Sequence, residues 1–233
     1  MPIGVIVNCC AVLFGGIIGA LMNERMPEKL KYSLPIVFGI SALTNGVVMA
    51  GQLHAFAPIV LALAIGTIIG ELLNLNENVI TAAKKLNGVI QRGKDITEEN
   101  LEFFTSMLVL FCASALGIFG AMNEGLTGDH SALLFKAVMD FFTAMIFASS
   151  AGIIIALIAV PQAVIFLTLY FQARLIIPLA NDAMMANFNA CGGIITVACG
   201  IQILRLKQIR IINMLPSFII VMPFTYLWDL LIR

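Results

Sequence analysis

The chain of 233 residues is 61% hydrophobic and 11% charged, with 13 basic against 13 acidic side chains and a mean hydropathy of +1.02. That composition lies far outside the soluble globular range and predicts an integral membrane protein with the lipid bilayer as its surroundings. A net charge of zero, with no dense basic cluster, argues against nucleic acid as a partner.

Apolar stretches of about 20 residues, enough to cross a bilayer, recur along the chain. About eight can be read, predicting one all-α polytopic transmembrane bundle over residues 1–233. Span 1, about Ile3 to Met22, lacks a positive n-region and a small-residue cleavage site, so it reads as retained rather than as a signal peptide. Its Gly15/Gly19 pair would admit a close helix neighbour, and Asn8 is its one strongly polar member. A positive loop follows, with Arg25, Lys29 and Lys31. Span 2, about Ser33 to Gly51, gathers Ser41, Thr44 and Asn45 around Gly39 and Gly46. Span 3, about Ala57 to Leu73, repeats the small-residue spacing at Gly66 and Gly70 and ends at Glu71.

From 74 to 100 the chain leaves the membrane. Leu75, Val79, Ile80, Ala83, Leu86, Val89 and Ile90 recur at helical spacing against Lys84, Lys85 and Arg92, predicting a cytoplasmic amphipathic connector. Gly93 stops it, and Asp95 with Glu98 predicts the start of span 4, about Leu101 to Ala121. Residues 122–131, MNEGLTGDHS, read as an acidic turn.

Span 5, Leu133 to Pro161, carries Lys136 and Asp140 in its first turns and a small, polar run at 148–152 that could unwind or pack closely. At ~1.5 Å of rise per residue, Asp140 sits roughly 10 Å into this helix. An isolated charge at the bilayer centre costs about 3 kcal/mol on the lenient insertion scale, so such residues face a bundle interior and mark a pathway. Lys136 and Asp140 share a face at i, i+4 and can pair. Pro161 starts span 6, about Pro161 to Leu179, with Gln172 and Arg174; the uncharged turn leaves a re-entrant hairpin open. Span 7, about Ala190 to Leu204, is Gly-rich. Arg205, Lys207 and Arg210 form another basic loop, and span 8, about Asn213 to Ile232, holds Asp229 near its end.

With eight spans all basic loops fall on one side, which the positive-inside rule makes cytoplasmic, and both termini are outside. Spans 1–3 and 6–8 also echo each other. Gly39-Ile40 and Gly46 match Gly193-Ile194 and Gly200, and Pro58 and Glu71 match Pro216 and Asp229. The paired spans run in opposite directions, the form of an inverted repeat.

The polar residues are then read as pathway candidates: Lys136, Asp140, Arg174, Asn8, Asn45, Glu71, Gln172, Asn213 and Asp229. If Arg174 turns inward, two cations flank Asp140 and an anionic solute follows; if it snorkels outward, Lys136 and Asp140 are a structural pair. The amides are equally suited to interhelical glue. Enzyme chemistry has no support, since no Ser/His/Asp set, HExxH or GxxxxGK[ST] occurs. Five cysteines lie in apolar spans without CxxC or nearby histidines, so neither a metal nor another cofactor is expected.

The segments 120–140 (GAMNEGLTGDHSALLFKAVMD), 66–73 (GTIIGELL) and 209–216 (IRIINMLP) resemble the bacterial and archaeal membrane-protein family known as domain of unknown function 554, of the YdfK/YqgA type. The resemblance covers nearly the whole chain. It implies a multi-pass plasma (inner) membrane protein, loosely regarded as a transporter, with no established substrate. It also implies that Asn8, Glu71, Lys136, Asp140 and Asn213 occupy family-motif positions, whereas Arg174 and Asn45 match none. The expectation is a secondary permease for a small solute, centred on Lys136 and Asp140 with spans 2 and 7 as walls. A channel, or a non-transporting structural or regulatory bundle, is the alternative. Small-residue faces on spans 1 and 3 suggest a homo-oligomer.

Overall fold

The computed structural model describes residues 1–22, 27–90, 98–176 and 180–232. Arg25, Arg92, Gly93 and Asp95, read above as parts of a basic loop, an amphipathic connector, a helix stop and a helix start, lie outside the described residues. Among the described residues every regular element is helical: α1 (Ile3–Met22), α2 (Glu28–Ala50), α3 (Phe56–Leu72), α4 (Leu75–Ile90), α5 (Glu98–Cys112), α6 (Ala115–Thr127), α7 (Ser131–Ala151), α8 (Ala159–Ile176), α9 (Asp182–Ile203) and α10 (Ser217–Ile232). Two 3-10 turns, Ile153–Ile158 and Ile211–Met214, precede α8 and α10. Seven stretches are long and apolar enough to cross a membrane, and α3 with the start of α4, bent by 55°, makes an eighth.

An ion pair and a hydrogen bond fix how the helices alternate. Arg210 Nη1 meets Glu71 Oε2 at 2.9 Å, joining the α9–α10 connection to the end of α3. His54 Nε2 lies 3.1 Å from Asp229 Oδ1, joining the start of α3 to the end of α10. The start of α2, α4 and the Arg205, Lys207 and Arg210 loop therefore share one end of the bundle, the basic end.

Glycine lets backbones touch where the main helix pairs meet. α1 runs along α7, and a Cβ on Gly15 or Gly19 would overlap the carbonyl oxygens of Phe141 and Met145. α2 crosses α9 through Gly39 with Gly200 and Gly46 with Gly193. α3 meets the start of α10 through Gly66 with Ser217 and Gly70 with Asn213. These contacts correct one expectation: the Gly15/Gly19 and Gly66/Gly70 faces of spans 1 and 3 are used within the chain. Spans 2 and 7 pack on each other through glycine, and Met49 and Gln202 from them reach clefts toward opposite ends.

Spans 4 and 5 differ from the sequence reading as well. Span 4 is broken at Ala113 and Ser114, where α5 ends and Ser114 Oγ accepts from Gly117 N at 3.2 Å as the N-cap of α6. α6 then continues to Thr127 and stops at Gly128, φ +81°, so most of the expected acidic turn is helix. The connection left is short. Asp129 accepts from the hydroxyl and the N–H of Ser131, which hold its carboxyl below the usual carboxylate range.

Span 5 ends at Ala151, ten residues before Pro161, and the 148–152 run is helical up to Gly152. There φ is +83° and ψ −166°, a region open essentially to glycine alone. The chain reverses through Ile153–Ile158, whose Ile154, Ile155, Ala156 and Ile158 are buried against α1 and α5. Irregular backbone at membrane depth is tolerated where protein covers it. Pro161 sits in the first turn of α8, where its missing N–H leaves no bond unmade. Gly152→Ala is expected to cost about 1–3 kcal/mol, read as a lower unfolding temperature of the purified protein. An unchanged transition would mean the reversal does not depend on that conformation.

Candidate functional site

Lys136 and Asp140 lie on the face of α7 turned toward α1 and α8, 4% and 6% exposed. Lys136 Nζ donates to Asp140 Oδ1 at 2.9 Å and lies 2.7 Å from Oδ2. From α1, Asn8 Nδ2 donates to Oδ2 at 2.9 Å. From α8, Gln162 Nε2 donates to Asn8 Oδ1 at 2.9 Å and reaches Phe111 O and Asp140 Oδ2 at 3.4 Å. Lys136 also stands 5.9 Å from the centre of the Phe111 ring. The carboxylate is thus matched by a cation and two amides, and the knot is neutral as a whole. Its one loose end is Gln162 Oε1, which is buried without a hydrogen-bond partner.

Arg174 and Gln172 do not join this cluster. Both are exposed, and Arg174 lies twelve residues past Gln162 on α8, about 18 Å along the helix. The expected pair of cations flanking Asp140 is absent, and with it the anionic pocket at that place. Asn45 is also exposed, its Nδ2 3.4 Å from Met49 Sδ on its own helix.

Asn213, Glu71 and Asp229, the remaining predicted residues, tie elements together, as does Asn187 of α9. Asn213 Oδ1 accepts from Asn76 N at 2.8 Å and so caps the first turn of α4. Glu71, paired with Arg210, and Asp229, hydrogen-bonded to His54, sit at opposite ends of the α3–α10 pair. Asn187 Oδ1 accepts from His54 N and Ala55 N, at 2.9 and 3.0 Å, ahead of α3, and its Nδ2 donates to Thr225 Oγ1.

Gln162 and Glu124 are among the buried polar residues that escaped the sequence reading. Gln162 follows Pro161 in an apolar run, and its amide was the signal there. Glu124, 1% exposed, was placed in a turn. Its carboxylate accepts from Gly4 N at 2.7 Å and Val5 N at 3.2 Å, binding the positive end of α1, which begins without a capping side chain of its own.

Among the described residues, clefts flank the break in span 4 on each side. At the basic end a cleft of about 390 Å³ is bordered by Asn76, Lys84, Thr105, Gln202, Gln208 and Arg210. Toward the opposite end a cleft of about 410 Å³ is bordered by Gln52, Leu116, Phe119, Asn123 and Asn189. Asn189 Oδ1 is buried without a hydrogen-bond partner. α9 supplies Asn189 to one cleft and Gln202 to the other, thirteen residues and about 20 Å apart. Between those levels Met107, Phe111, Cys191, Ile195 and Cys199 are buried. Phe119 and Phe188 meet with ring centres 5.3 Å apart. Neither cleft is bordered by Lys136 or Asp140.

A helical bundle with buried, mutually paired charges and interrupted spans defines the chain as a polytopic membrane protein. A family model described as "Protein of unknown function (DUF554)" matches residues 3–226, and the chain belongs to that family. The chain is 42% identical over 230 residues to "Uncharacterized protein YqgA" of Escherichia coli (strain K12), covering 98% of each chain. It is 27% identical over 226 residues to "Uncharacterized membrane protein YdfK" of Bacillus subtilis (strain 168), covering 93% of each. No solved structure matches the chain.

Proposed function

We propose that this protein is a secondary transporter of a small solute in a bacterial inner membrane, with its path along the broken span 4 and α9. The observation that carries the reading is the placement of two clefts on those same elements, a polar one at the basic end and a mostly apolar one with Gln52, Asn123 and Asn189 toward the other, on opposite sides of the Ala113–Ser114 break and separated by a buried seal. Interrupted helices that leave a site near the midplane are a recurring transporter device. On this reading the basic end is cytoplasmic and both termini are outside. Lys136 and Asp140 are framework that locks α1 and α8 onto α7, and the solute does not touch them.

An inverted repeat fits the same reading. Matching Gly39 to Gly193 and Gly46 to Gly200 turns the observed contact of Gly39 with Gly200 into that of Gly193 with Gly46, which also occurs. Matching Glu71 to Asp229 brings the two terminal carboxylate contacts of α3 and α10, to Arg210 and to His54, into correspondence. Smooth glycine contacts between such repeats suit rocking of one half on the other. A non-transporting bundle is the second reading, favoured by the saturation of the Lys136–Asp140 knot.

Single cysteines at Thr105, Asn123 and Ile195, in a background lacking the five native cysteines, separate these readings by labelling with an impermeant maleimide from each side. The expected result is labelling of 105 from the cytoplasm, of 123 from outside, and of 195 slowly from both. If 195 stays dark from both sides while the protein folds, the bundle is static and the transporter reading falls.

A further inference from the structure

The cleft at the basic end has a chemistry the sequence did not locate. Asn76, Ile80 and Lys84 recur at four-residue intervals along α4 and form one wall. Thr105 of α5 and Gln202 of α9, 3% and 4% exposed and joined by a 3.0 Å bond from Gln202 Nε2 to Thr105 Oγ1, border it from within the bundle. Arg210 closes the rim beside Gln208 and Ile209. Glu71 and Glu77 hold its guanidinium, at 2.9 Å from Nη1 and 3.4 Å from Nη2, so it is fixed in place with further N–H groups available. Both carboxylates lie outside the lining. The lining itself holds two cations, four neutral polar side chains and no acid.

From this we infer that the cleft binds a small organic anion, a carboxylate or phosphate, with Lys84 supplying the mobile charge, Arg210 the oriented one, and the buried polar groups receiving the body of the molecule. The volume of about 390 Å³ is at the small end of the range for such sites, ~300–1,000 Å³. α4 is amphipathic and meets the rest of the bundle chiefly through α3 and the two 3-10 turns, so it stands over the cleft as a cover with its own cation on the inner face. The inference rests on the transporter reading only for its direction of use. The binding site stands or falls by itself.

The same charges would accept a free anion or the phosphate of an anionic lipid, and the test separates the two. The full-length protein in a non-ionic detergent is titrated with succinate, inorganic phosphate, dihexanoyl phosphatidylglycerol and, as a charge control, chloride, with the unfolding temperature as readout. Stabilisation by succinate or phosphate at millimolar concentration, absent with chloride, assigns a soluble anion; stabilisation by the lipid alone assigns a headgroup. In either case Lys84→Met weakens the half-saturating concentration at least tenfold and Lys84→Arg restores it. Lys84 is exposed, so neither substitution endangers the fold. No response to any probe, or an equal response in Lys84→Met, overturns the assignment. If binding fails while positions 105, 123 and 195 label as expected, the path stands and only the anion is lost.

Discussion

Lys136→Met is expected to destabilise the protein by about 3–5 kcal/mol, the range for removing one partner of a buried ion pair. Asp140 would keep its two amide donors but lose its only cation, in surroundings where it is 6% exposed. Asp140→Leu is expected to be as damaging, because it strands Lys136 beside a phenylalanine ring and frees the Nδ2 of Asn8. The double variant, Lys136→Met with Asp140→Leu, removes both charges and should regain most of the loss, since apolar replacement of a whole buried pair is often neutral or better. Thermal unfolding of the four proteins in one detergent measures the coupling directly. A double variant no more stable than either single one would show that the knot serves some purpose beyond cancelling charge, and would return it to the solute path.

The second large effect falls on the α1–α7 contact. Gly19→Val places a branched side chain where a single Cβ already overlaps the carbonyl oxygen of Met145. What it meets is backbone, which has no rotamer to change, so the helices must separate. Overpacking of this kind costs ~1–3 kcal/mol and occasionally more, and we expect the upper part of that range, with lower folded yield from membranes. Gly51→Ala is the matched control. Its backbone is ordinary, φ −69°, and the nearest atoms to a new Cβ are 3.5 Å away, so its unfolding temperature should not move. Equal stability of both variants would mean the α1–α7 pair is looser than described.

The helical bundle was legible because hydropathy, length and small-residue spacing are local signals. Lys136 pairing with Asp140 was legible for the same reason, being one turn apart. What the sequence could not supply was which helix faced which. Asn8 and Gln162 reach Asp140 from 132 and 22 residues away, and Glu124 finds the start of α1 from 120. Arg174 failed as a site residue because depth along a span says nothing about the face it occupies. The reversal at Gly152 was hidden because it has no polar loop. Proline at 161 offered a stronger turn signal than glycine in a run of small residues, yet the first turn of a helix tolerates proline well.

The route by which Asn8 meets Asp140 also sets an order of events during synthesis. At ~5–20 residues per second, the 132 residues between them keep α1 waiting for its partner for roughly 7–26 seconds after it leaves the ribosome. α7 has no such wait, because its lysine and aspartate neutralise each other as soon as the helix forms. α1 is thus made early and satisfied late, and until α6, α7 and α8 arrive it presents a bare amide and an uncapped end to the membrane. Quality-control proteases that survey newly inserted chains would find their opening there, and variants that slow synthesis of residues 124–162 should lower the amount of protein that survives more than they lower the stability of what is recovered.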